Sequence, residues 1–223
     1  MYHWFKGVLD EQQLQQINAL CDTAGFADGK ETATGGAKTI KENEQMKVSD
    51  ELQEINSKIQ DALSNHLSFK SAVLPLRMRE VRLSKYSESM YYGRHIDSPI
   101  MGSDESRMRS DVSVTVFLSS PKDYAGGELM ITTSLGEQGF KLNAGDIIAY
   151  PSTSLHRVAP VTSGERRVAI MWIQSLVKDP LQRETLFDMD KIRRKLIKLA
   201  PDSDEIELAN KVYTNLVRRW SEI

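Results

Sequence analysis

Two side chains that can bind a metal ion, His95 and Asp97, stand two positions apart at the end of a stretch with β-strand character. Residues i and i+2 of a strand lie on the same face of a sheet, so both side chains can point into one cavity. One imidazole and one carboxylate are two of the three ligands of a facial-triad iron site. A second histidine must then supply the third ligand from elsewhere in the chain.

The chain contains four histidines. His3 lies in the terminal segment and His66 lies near the end of a helical pattern, so we assign both of them structural roles. His156 follows a later strand and is the natural third ligand, provided that the sheet curls enough to bring it to His95 and Asp97. Two neutral imidazoles and one carboxylate would leave one face of Fe(II) open. That geometry suits a bidentate 2-oxo acid together with dioxygen.

A 2-oxo acid with a second carboxylate also needs a cation in the cavity, and the planar guanidinium of arginine can bind a carboxylate through two hydrogen bonds. Arg166 and Arg167 begin the last predicted strand. Alternation places Arg166 on the same face as Val168, Ile170 and Trp172, and Arg167 on the other face. Only one of the two arginines can therefore point inward, and the residues alone leave the choice open.

The segment from about residue 78 to 177 consists of short strand patterns separated by Gly and Pro, which is typical of a β-sandwich or barrel. Residues 111–118 alternate between an apolar face and a half-polar face that suits a ligand cavity. The half-polar face is formed by Ser113, Thr115 and Phe117.

Helical patterns flank these strands, so the sequence predicts a mainly β protein of the α+β class, with N-terminal helices packed on the β core and two C-terminal helices. A capping box of Asp10 and Gln13 begins the first helix. The second begins at residues 49–50 with an apolar face at Leu52, Ile55, Ile59, Leu63 and Leu67. The third has Asp179 as its cap and Pro180 at its first position. The expected apolar faces of the last two helices are Leu186, Met189, Ile192 and Leu196, and Leu208, Val212, Leu216 and Trp220.

Two polar segments, residues 27–46 and 98–110, are predicted to be loops. Each is either a solvated excursion or part of the substrate entrance. The second segment carries Arg107 and Arg109, which would suit an anionic substrate if they face the entrance and would otherwise be solvated surface charges.

Composition argues against several functional classes. The formal net charge is −2, which gives no field for nucleic acid or anionic membrane. No apolar run approaches the roughly 20 residues of a membrane span, and the N-terminus lacks a secretory signal pattern. Cys21 is the single cysteine and fits a buried position in a helix. We therefore expect a cytoplasmic protein.

Taken together, these motifs closely resemble those of the iron(II)- and 2-oxoglutarate-dependent dioxygenases of the prolyl 4-hydroxylase type. Over its whole length, including the C-terminal helices, the chain looks like the bacterial PKHD-type hydroxylases. The residues that carry the resemblance are His95-Ile96-Asp97, Gly126-Gly127-Glu128-Leu129, Asn143-Ala144-Gly145-Asp146 and the stretch from His156 to Arg167.

The resemblance implies a double-stranded β-helix (jelly-roll) core, Fe(II) bound by His95, Asp97 and His156, and 2-oxoglutarate bound by Arg166. It also implies that Tyr86 faces the co-substrate. Phe117 stands where some relatives have a tyrosine that hydrogen-bonds 2-oxoglutarate, so that contact is lost or replaced here. L-ascorbate as a reductant is implied by the family alone. Residues 1–177 would form the dioxygenase domain, with its core at about 78–177, and residues 178–223 a C-terminal helical extension.

The expected reaction is hydroxylation of a C–H bond coupled to decarboxylation of 2-oxoglutarate to succinate. The partners would be dioxygen and a small-molecule or peptide substrate, with peptidyl proline, a free amino acid and an iron-binding metabolite all open. A homo-oligomer is compatible with the apolar faces of the C-terminal helices. Two alternatives are a non-catalytic β-helix sensor that binds a metal or ligand, and a jelly-roll carbohydrate-binding or interaction protein. Glu128 is interpreted as a turn or supporting residue and not as a catalytic base.

Overall fold

Two antiparallel sheets that face each other dominate the computed structural model, which describes residues 2–32 and 35–222. The strands of these and of two smaller sheets are β1 (His3–Phe5), β2 (Phe26–Asp28), β3 (Lys41–Glu42), β4 (Glu44–Met46), β5 (Pro75–Met78), β6 (Arg82–Tyr86), β7 (Tyr91–His95), β8 (Ile100–Met101), β9 (Met108–Arg109), β10 (Val112–Phe117), β11 (Tyr124–Gly126), β12 (Leu129–Thr133), β13 (Gly136–Phe140), β14 (Ile147–Pro151), β15 (His156–Val158), β16 (Val161–Gly164) and β17 (Arg166–Ser175). The α-helices are α1 (Glu11–Thr23), α2 (Asp50–Asn65), α3 (Leu67–Val73), α4 (Pro180–Leu199) and α5 (Asp204–Trp220).

The large sheet has the strand order β1-β14-β10-β17-β6-β4-β2, with β5 also paired to β17. The small sheet has the order β13-β12-β15-β7-β3, and β11 pairs with β16 and β8 with β9 in two further ladders. Strands distant in sequence are neighbours in both sheets, as the curled sheet of a jelly roll requires. The predicted architecture of a jelly-roll core with flanking helices is confirmed.

Alternation along β10 separates two apolar cores. Val114 and Val116 face a core shared with α1, α2 and α3, which pack on the outer face of the large sheet. Phe117 faces a second core between the two sheets, together with Tyr86 of β6 and Leu129 of β12. The polar side chains of the half-polar face therefore point toward the space between the sheets, as the sequence predicts.

The C-terminal helices begin as predicted but present a different face. Asp179 Oδ1 accepts hydrogen bonds from the backbone N–H groups of the first turn of α4, which starts at Pro180. Leu186 is buried, but Ile192 is 53% exposed, and the other buried positions of α4 are Arg183 and Asp190. The prediction of the apolar stripe was wrong because the Asp190 carboxylate accepts a hydrogen bond from Ser71 of α3 at 2.6 Å, which turns this polar position inward.

The last helix, α5, differs from its predicted face in the same way. Leu208 is 59% exposed and Val212 is 45% exposed, whereas Ile206 and Ala209 are buried. The predicted contacts of the C-terminal half of the helix are present, since Leu216 and Trp220 pack against a small core that contains Leu186. None of the helices in the described residues has the length and apolar character needed to cross a bilayer.

The polar segment of residues 27–46 is more ordered than a simple loop. It contains β2, β3 and β4 and two short 3₁₀ helices, Gly29–Thr32 and Gly35–Ile40. β4 pairs with β6 of the large sheet and β3 with β7 of the small sheet, so the segment joins the two sheets along one side. Several of its polar side chains form ion pairs, such as that of Glu44 Oε2 with Lys85 Nζ at 2.9 Å. Pairing with distant strands gives this segment its structure, and local periodicity cannot reveal it.

Two smaller expectations also change. The helix beginning at Asp50 ends at Asn65, and His66 caps a new helix, α3, because its Nδ1 accepts a hydrogen bond from the Phe69 N–H at 3.1 Å. Leu67 therefore does not belong to the apolar face of α2, and it is 68% exposed. Residues 98–110 form a short hairpin of β8 and β9 rather than an unstructured loop.

Candidate active site

Pairing of β7 with β15 brings the three predicted ligand residues together. His95 is the register partner of His156, and their ring centroids lie 4.2 Å apart. Asp97 follows the end of β7 by two residues, and its Oδ2 lies 3.9 Å from His156 Nε2. One donor atom from each residue lies within 4.8 Å of the others, which is the separation expected of groups that share one metal ion.

Backbone hydrogen bonds orient both imidazoles. His95 Nδ1 donates to the Gly93 carbonyl at 2.8 Å, and His156 Nδ1 donates to the Ser154 carbonyl at 3.0 Å, since a carbonyl oxygen can only accept. Nε2 of each ring is therefore the atom free to bind a metal. Burial, followed by the neighbouring His156, lowers the pKa of His95 to about 4, so this imidazole is neutral at neutral pH. The donor set thus fits Fe(II), which takes neutral imidazole and carboxylate ligands.

Two buried serines hold the carboxylate of Asp97. Ser113 Oγ donates to Asp97 Oδ2 at 2.6 Å, and Ser152 Oγ lies 2.8 Å from Ser113 Oγ. Because the single hydroxyl proton of Ser113 goes to the carboxylate, Ser152 must donate to Ser113. The sequence predicted that Ser113 lies on the inward, half-polar face of β10. It could not predict the hydrogen bond to Asp97, because that bond depends on a contact between distant strands.

Loss of the Ser113 hydroxyl should weaken metal binding without removing a ligand. We expect Ser113→Ala to lower the affinity for Mn(II) by about tenfold, because groups that orient a ligand typically contribute 10–100-fold. Titration of the metal-free protein with Mn(II) measures this effect. Ser163→Ala, which changes an exposed serine on β16, is the matched control. Equal Mn(II) affinities for both variants and the wild type would rule out a role of Ser113 in holding Asp97.

The ligand triad lies in a cavity of about 350 Å³ between the two sheets. The large sheet contributes side chains from β6, β10, β14 and β17, and the small sheet from β7, β12 and β15. The residues that line the cavity in these strands are Arg82, Ser84, Tyr86, Thr115, Tyr150, Arg166, Ile170, Trp172, Tyr92, His95, Leu129, His156 and Val158. Thr32, Lys41 and Gln45 also line it, so the 27–46 segment forms part of the wall, in agreement with the entrance interpretation.

Arg166 points into this cavity and is only 1% exposed. Its Nε and Nη1 are buried and have no hydrogen-bond partner among the described residues. An unpaired buried guanidinium is energetically unfavourable, so the site fits a ligand carboxylate. Arg167 faces the other way and forms ion pairs with Asp22 and Glu165, each at 2.6 Å. The open choice between the two arginines is thus decided by the orientation of β17.

Aromatic side chains surround the Arg166 guanidinium. Its central carbon lies 5.0 Å from the ring centroid of Tyr86 and 5.8 Å from that of Phe117. Tyr86 is fully buried, and burial raises its pKa to about 12, so the phenol is protonated. The hydroxyls of Tyr86 and Tyr124 are buried without a partner in the described residues and could donate to a bound carboxylate. Tyr124 was not predicted, and it can replace the hydroxyl that Phe117 lacks.

The glycine pair of the sequence motif makes room for Arg166. Gly126 and Gly127 have φ of 69° and 68°, in the left-handed region that favours glycine. A Cβ on Gly127 would lie 3.1 Å from both Arg166 Cδ and the Tyr124 ring, and one on Gly126 would meet the Pro160 carbonyl oxygen at 2.1 Å. The turn before β12 therefore packs directly against the side chain of Arg166.

Other residues singled out in the sequence lie elsewhere. His3 packs against Phe187, with ring centroids 4.8 Å apart, and Cys21 is buried in the helical core. Arg107 is exposed, while Arg109 forms ion pairs with Asp111 and Glu222. Neither arginine lines the cavity. Of the two interpretations of these arginines, the structure therefore agrees with surface charges and not with an anion site at the entrance.

The chain matches two protein-family models over most of its length. Residues 81–174 match the 2OG-Fe(II) oxygenase superfamily, and residues 181–222 match the PKHD-type hydroxylase C-terminal domain. The first match contains the triad and Arg166, and the second covers α4 and α5.

Similar proteins agree with these matches. A PKHD-type hydroxylase of Thermosynechococcus vestitus is 46% identical over 217 residues, covering 97% of each chain. One of Synechococcus elongatus is 43% identical over 219 residues, covering 96% of this chain and 97% of the relative. Among solved structures, the viral collagen prolyl hydroxylase of Paramecium bursaria Chlorella virus-1 shares the fold, with a TM-score of 0.54, 23% identity and coverage of 78% of this chain and 96% of that chain. The chain therefore belongs to the PKHD-type hydroxylases, a family of 2-oxoglutarate- and Fe(II)-dependent oxygenases.

Proposed function

We propose that this enzyme hydroxylates a C–H bond of its substrate and converts 2-oxoglutarate to succinate and carbon dioxide in the same turnover. One oxygen atom of dioxygen would enter the new hydroxyl group and the other the new carboxylate of succinate, so the atoms balance. The observation that carries the proposal is the joint presence of a His-Asp-His triad and an unpaired buried Arg166 in one cavity.

We infer that His95, Asp97 and His156 hold Fe(II), which supplies the activation of dioxygen when bound. Arg166 binds the distal carboxylate of 2-oxoglutarate, and the apolar, aromatic surroundings of its guanidinium strengthen that ion pair. Tyr86 lies beside the same carboxylate. The Nδ1 hydrogen bonds of the two histidines and the Ser113 bond to Asp97 keep the three ligands oriented in the absence of metal.

We also propose a domain division, a reductant, a cellular location and a set of partners for this protein. Residues 1–177 would be the dioxygenase domain, and residues 178–223 a helical extension. We propose L-ascorbate as reductant on the family resemblance. A cytoplasmic location is supported by the single cysteine. We propose no nucleic acid or membrane partner, and the exposed apolar residues of α4 and α5, such as Ile192 and Leu208, are compatible with a homo-oligomer.

Succinate release tests the reaction. The purified protein with Fe(II), 2-oxoglutarate and ascorbate is expected to form succinate only when dioxygen is present, at a rate that a true substrate raises. A panel of prolyl peptides, free amino acids and iron-binding metabolites would identify the class of substrate. His156→Ala is the inactive control. Binding of metal and 2-oxoglutarate without any succinate formation would instead support the sensor alternative.

A further inference from the structure

The wall of the active-site cavity carries more positive charge than the proposed co-substrate can neutralise. Its charged side chains are Lys41, Arg79, Arg82 and Arg166, against a single acid, Asp97. Fe(II) and Asp97 together would carry one positive charge, and Arg166 adds a second. The two carboxylates of 2-oxoglutarate would balance these two charges, so this part of the site would be neutral. Lys41, Arg79 and Arg82 form no ion pair with a carboxylate in the described residues.

Arg82 is placed to meet a ligand beside the triad. It lies on β6 on the same face as Ser84 and Tyr86, which also line the cavity. Its guanidinium carbon lies 5.5 Å from the ring centroid of Trp172, whose buried Nε1 has no hydrogen-bond partner among the described residues. Burial, followed by the charge of Arg79, lowers the pKa of Arg82, and the Asp97 carboxylate, which acts in the opposite direction, does not offset these two effects.

Arg79 lines the same cavity. It lies against the β8–β9 hairpin, where a Cβ on Gly102 would come 2.9 Å from its Nη1. Residues 79–81 separate β5 from β6, which allows Arg79 and Arg82 to face the same cavity although they are three positions apart. Within residues 2–32 and 35–222, no carboxylate lies within ion-pair distance of either guanidinium.

Lys41 completes the positive wall from the 27–46 segment. Its side chain is buried, and Nζ donates to the Gly29 carbonyl at 2.8 Å and to Thr32 Oγ1 at 3.1 Å. No carboxylate of the described residues forms an ion pair with Nζ. Burial, followed by the charge of Arg82, lowers the pKa of Lys41 to about 8. Uncompensated charge is therefore built into two separate walls of the cavity.

We propose that the substrate carries an anionic group, a carboxylate or a phosphate, which Arg82 binds with the support of Arg79 and the field of Lys41. This inference rests on the proposed function for the assignment of Arg166 to 2-oxoglutarate. A planar guanidinium beside an indole ring can bind such a group through two hydrogen bonds. The bound anion would place the rest of the substrate next to the triad, so Arg82 determines specificity and does not take part in the oxidation.

Binding of radiolabelled sulfate tests this inference. The probe would be added by equilibrium dialysis, at constant ionic strength, to protein loaded with Mn(II) and 2-oxoglutarate, so that Arg166 is already occupied. We expect saturable binding of one sulfate per chain. Arg82→Gln should weaken it by at least about tenfold, because the charge-assisted hydrogen bonds from the guanidinium to the anion are lost, whereas Arg82→Lys should retain part of the affinity.

Arg77→Gln is the matched control, because Arg77 is an exposed arginine on β5 that donates to the Arg107 carbonyl outside the cavity. It should bind sulfate like the wild type. No saturable binding to the wild type, or equal affinities for Arg82→Gln and the wild type, would overturn the inference. Succinate production by the wild type checks the proposed function separately, since sulfate binding without succinate would overturn the reaction but keep the anion site.

Discussion

Asp97→Ala is expected to lower the affinity for Fe(II) by at least about 100-fold and to abolish succinate formation. The variant removes the only carboxylate among the three ligands and leaves two neutral imidazoles, which hold a divalent ion poorly on their own. It also leaves Ser113 Oγ without its acceptor. Metal titration and succinate release in the presence of dioxygen measure the two effects.

The fold should survive this substitution. Asp97 lines a cavity and its side chain is 8% exposed, so its removal deletes a buried charge without deleting core packing. The unfolding temperature of the metal-free variant should therefore stay close to that of the metal-free wild type. Asp61→Ala, on the exposed side of α2, is the matched control and should bind Fe(II) normally. Wild-type turnover by Asp97→Ala would force the triad assignment to be abandoned.

The second large effect is expected at Arg166. Arg166→Gln should raise the KM for 2-oxoglutarate by about thirtyfold or more, because removing one partner of a buried, hydrogen-bonded charge pair costs about 2–5 kcal/mol. Binding of Mn(II) in the absence of 2-oxoglutarate should change little, since the guanidinium is not a metal ligand. This separation of the two affinities distinguishes a co-substrate role from general damage to the site.

Arg167→Gln provides the control at the adjacent position. It removes ion pairs with Asp22 and Glu165 on the outside of the large sheet, where partly exposed pairs contribute little to stability. The KM for 2-oxoglutarate should therefore stay near the wild-type value. An unchanged KM in Arg166→Gln, or an equal rise in both variants, would contradict the assignment of the distal carboxylate to Arg166.

The sequence was sufficient for those features that depend on local alternation and on residue chemistry. The faces of β10 follow the period of two, so the inward position of Thr115 could be predicted. In β17 the same alternation placed Ile170 on the face of Arg166, but it did not show which face points inward. His156 could be selected as the third ligand because the other histidines fell in helical or terminal patterns. The capping residues Asp10 and Asp179 were also predictable, since their hydrogen bonds are made within a few residues.

Features that depend on contacts between distant elements were missed. Residues 27–46 look like a loop because β3 and β4 gain their structure from pairing with β7 and β6. The face that α4 turns toward the protein contains the buried Asp190, and a prediction from hydrophobic periodicity would place an aspartate on the exposed face. Arg79 escaped notice as a cavity residue because the break between β5 and β6 interrupts the alternation.

The most direct test of the central claim is a spectroscopic titration. Fe(II) and then 2-oxoglutarate are added to the protein without dioxygen, and the visible absorption is recorded. Chelation of the ion by the 2-oxo acid at the triad predicts a metal-to-ligand charge-transfer band that saturates at one Fe(II) per chain. The band should be absent in Asp97→Ala and should need a much higher concentration of 2-oxoglutarate in Arg166→Gln. No band in the wild type, or an undiminished band in Asp97→Ala, would contradict the claim.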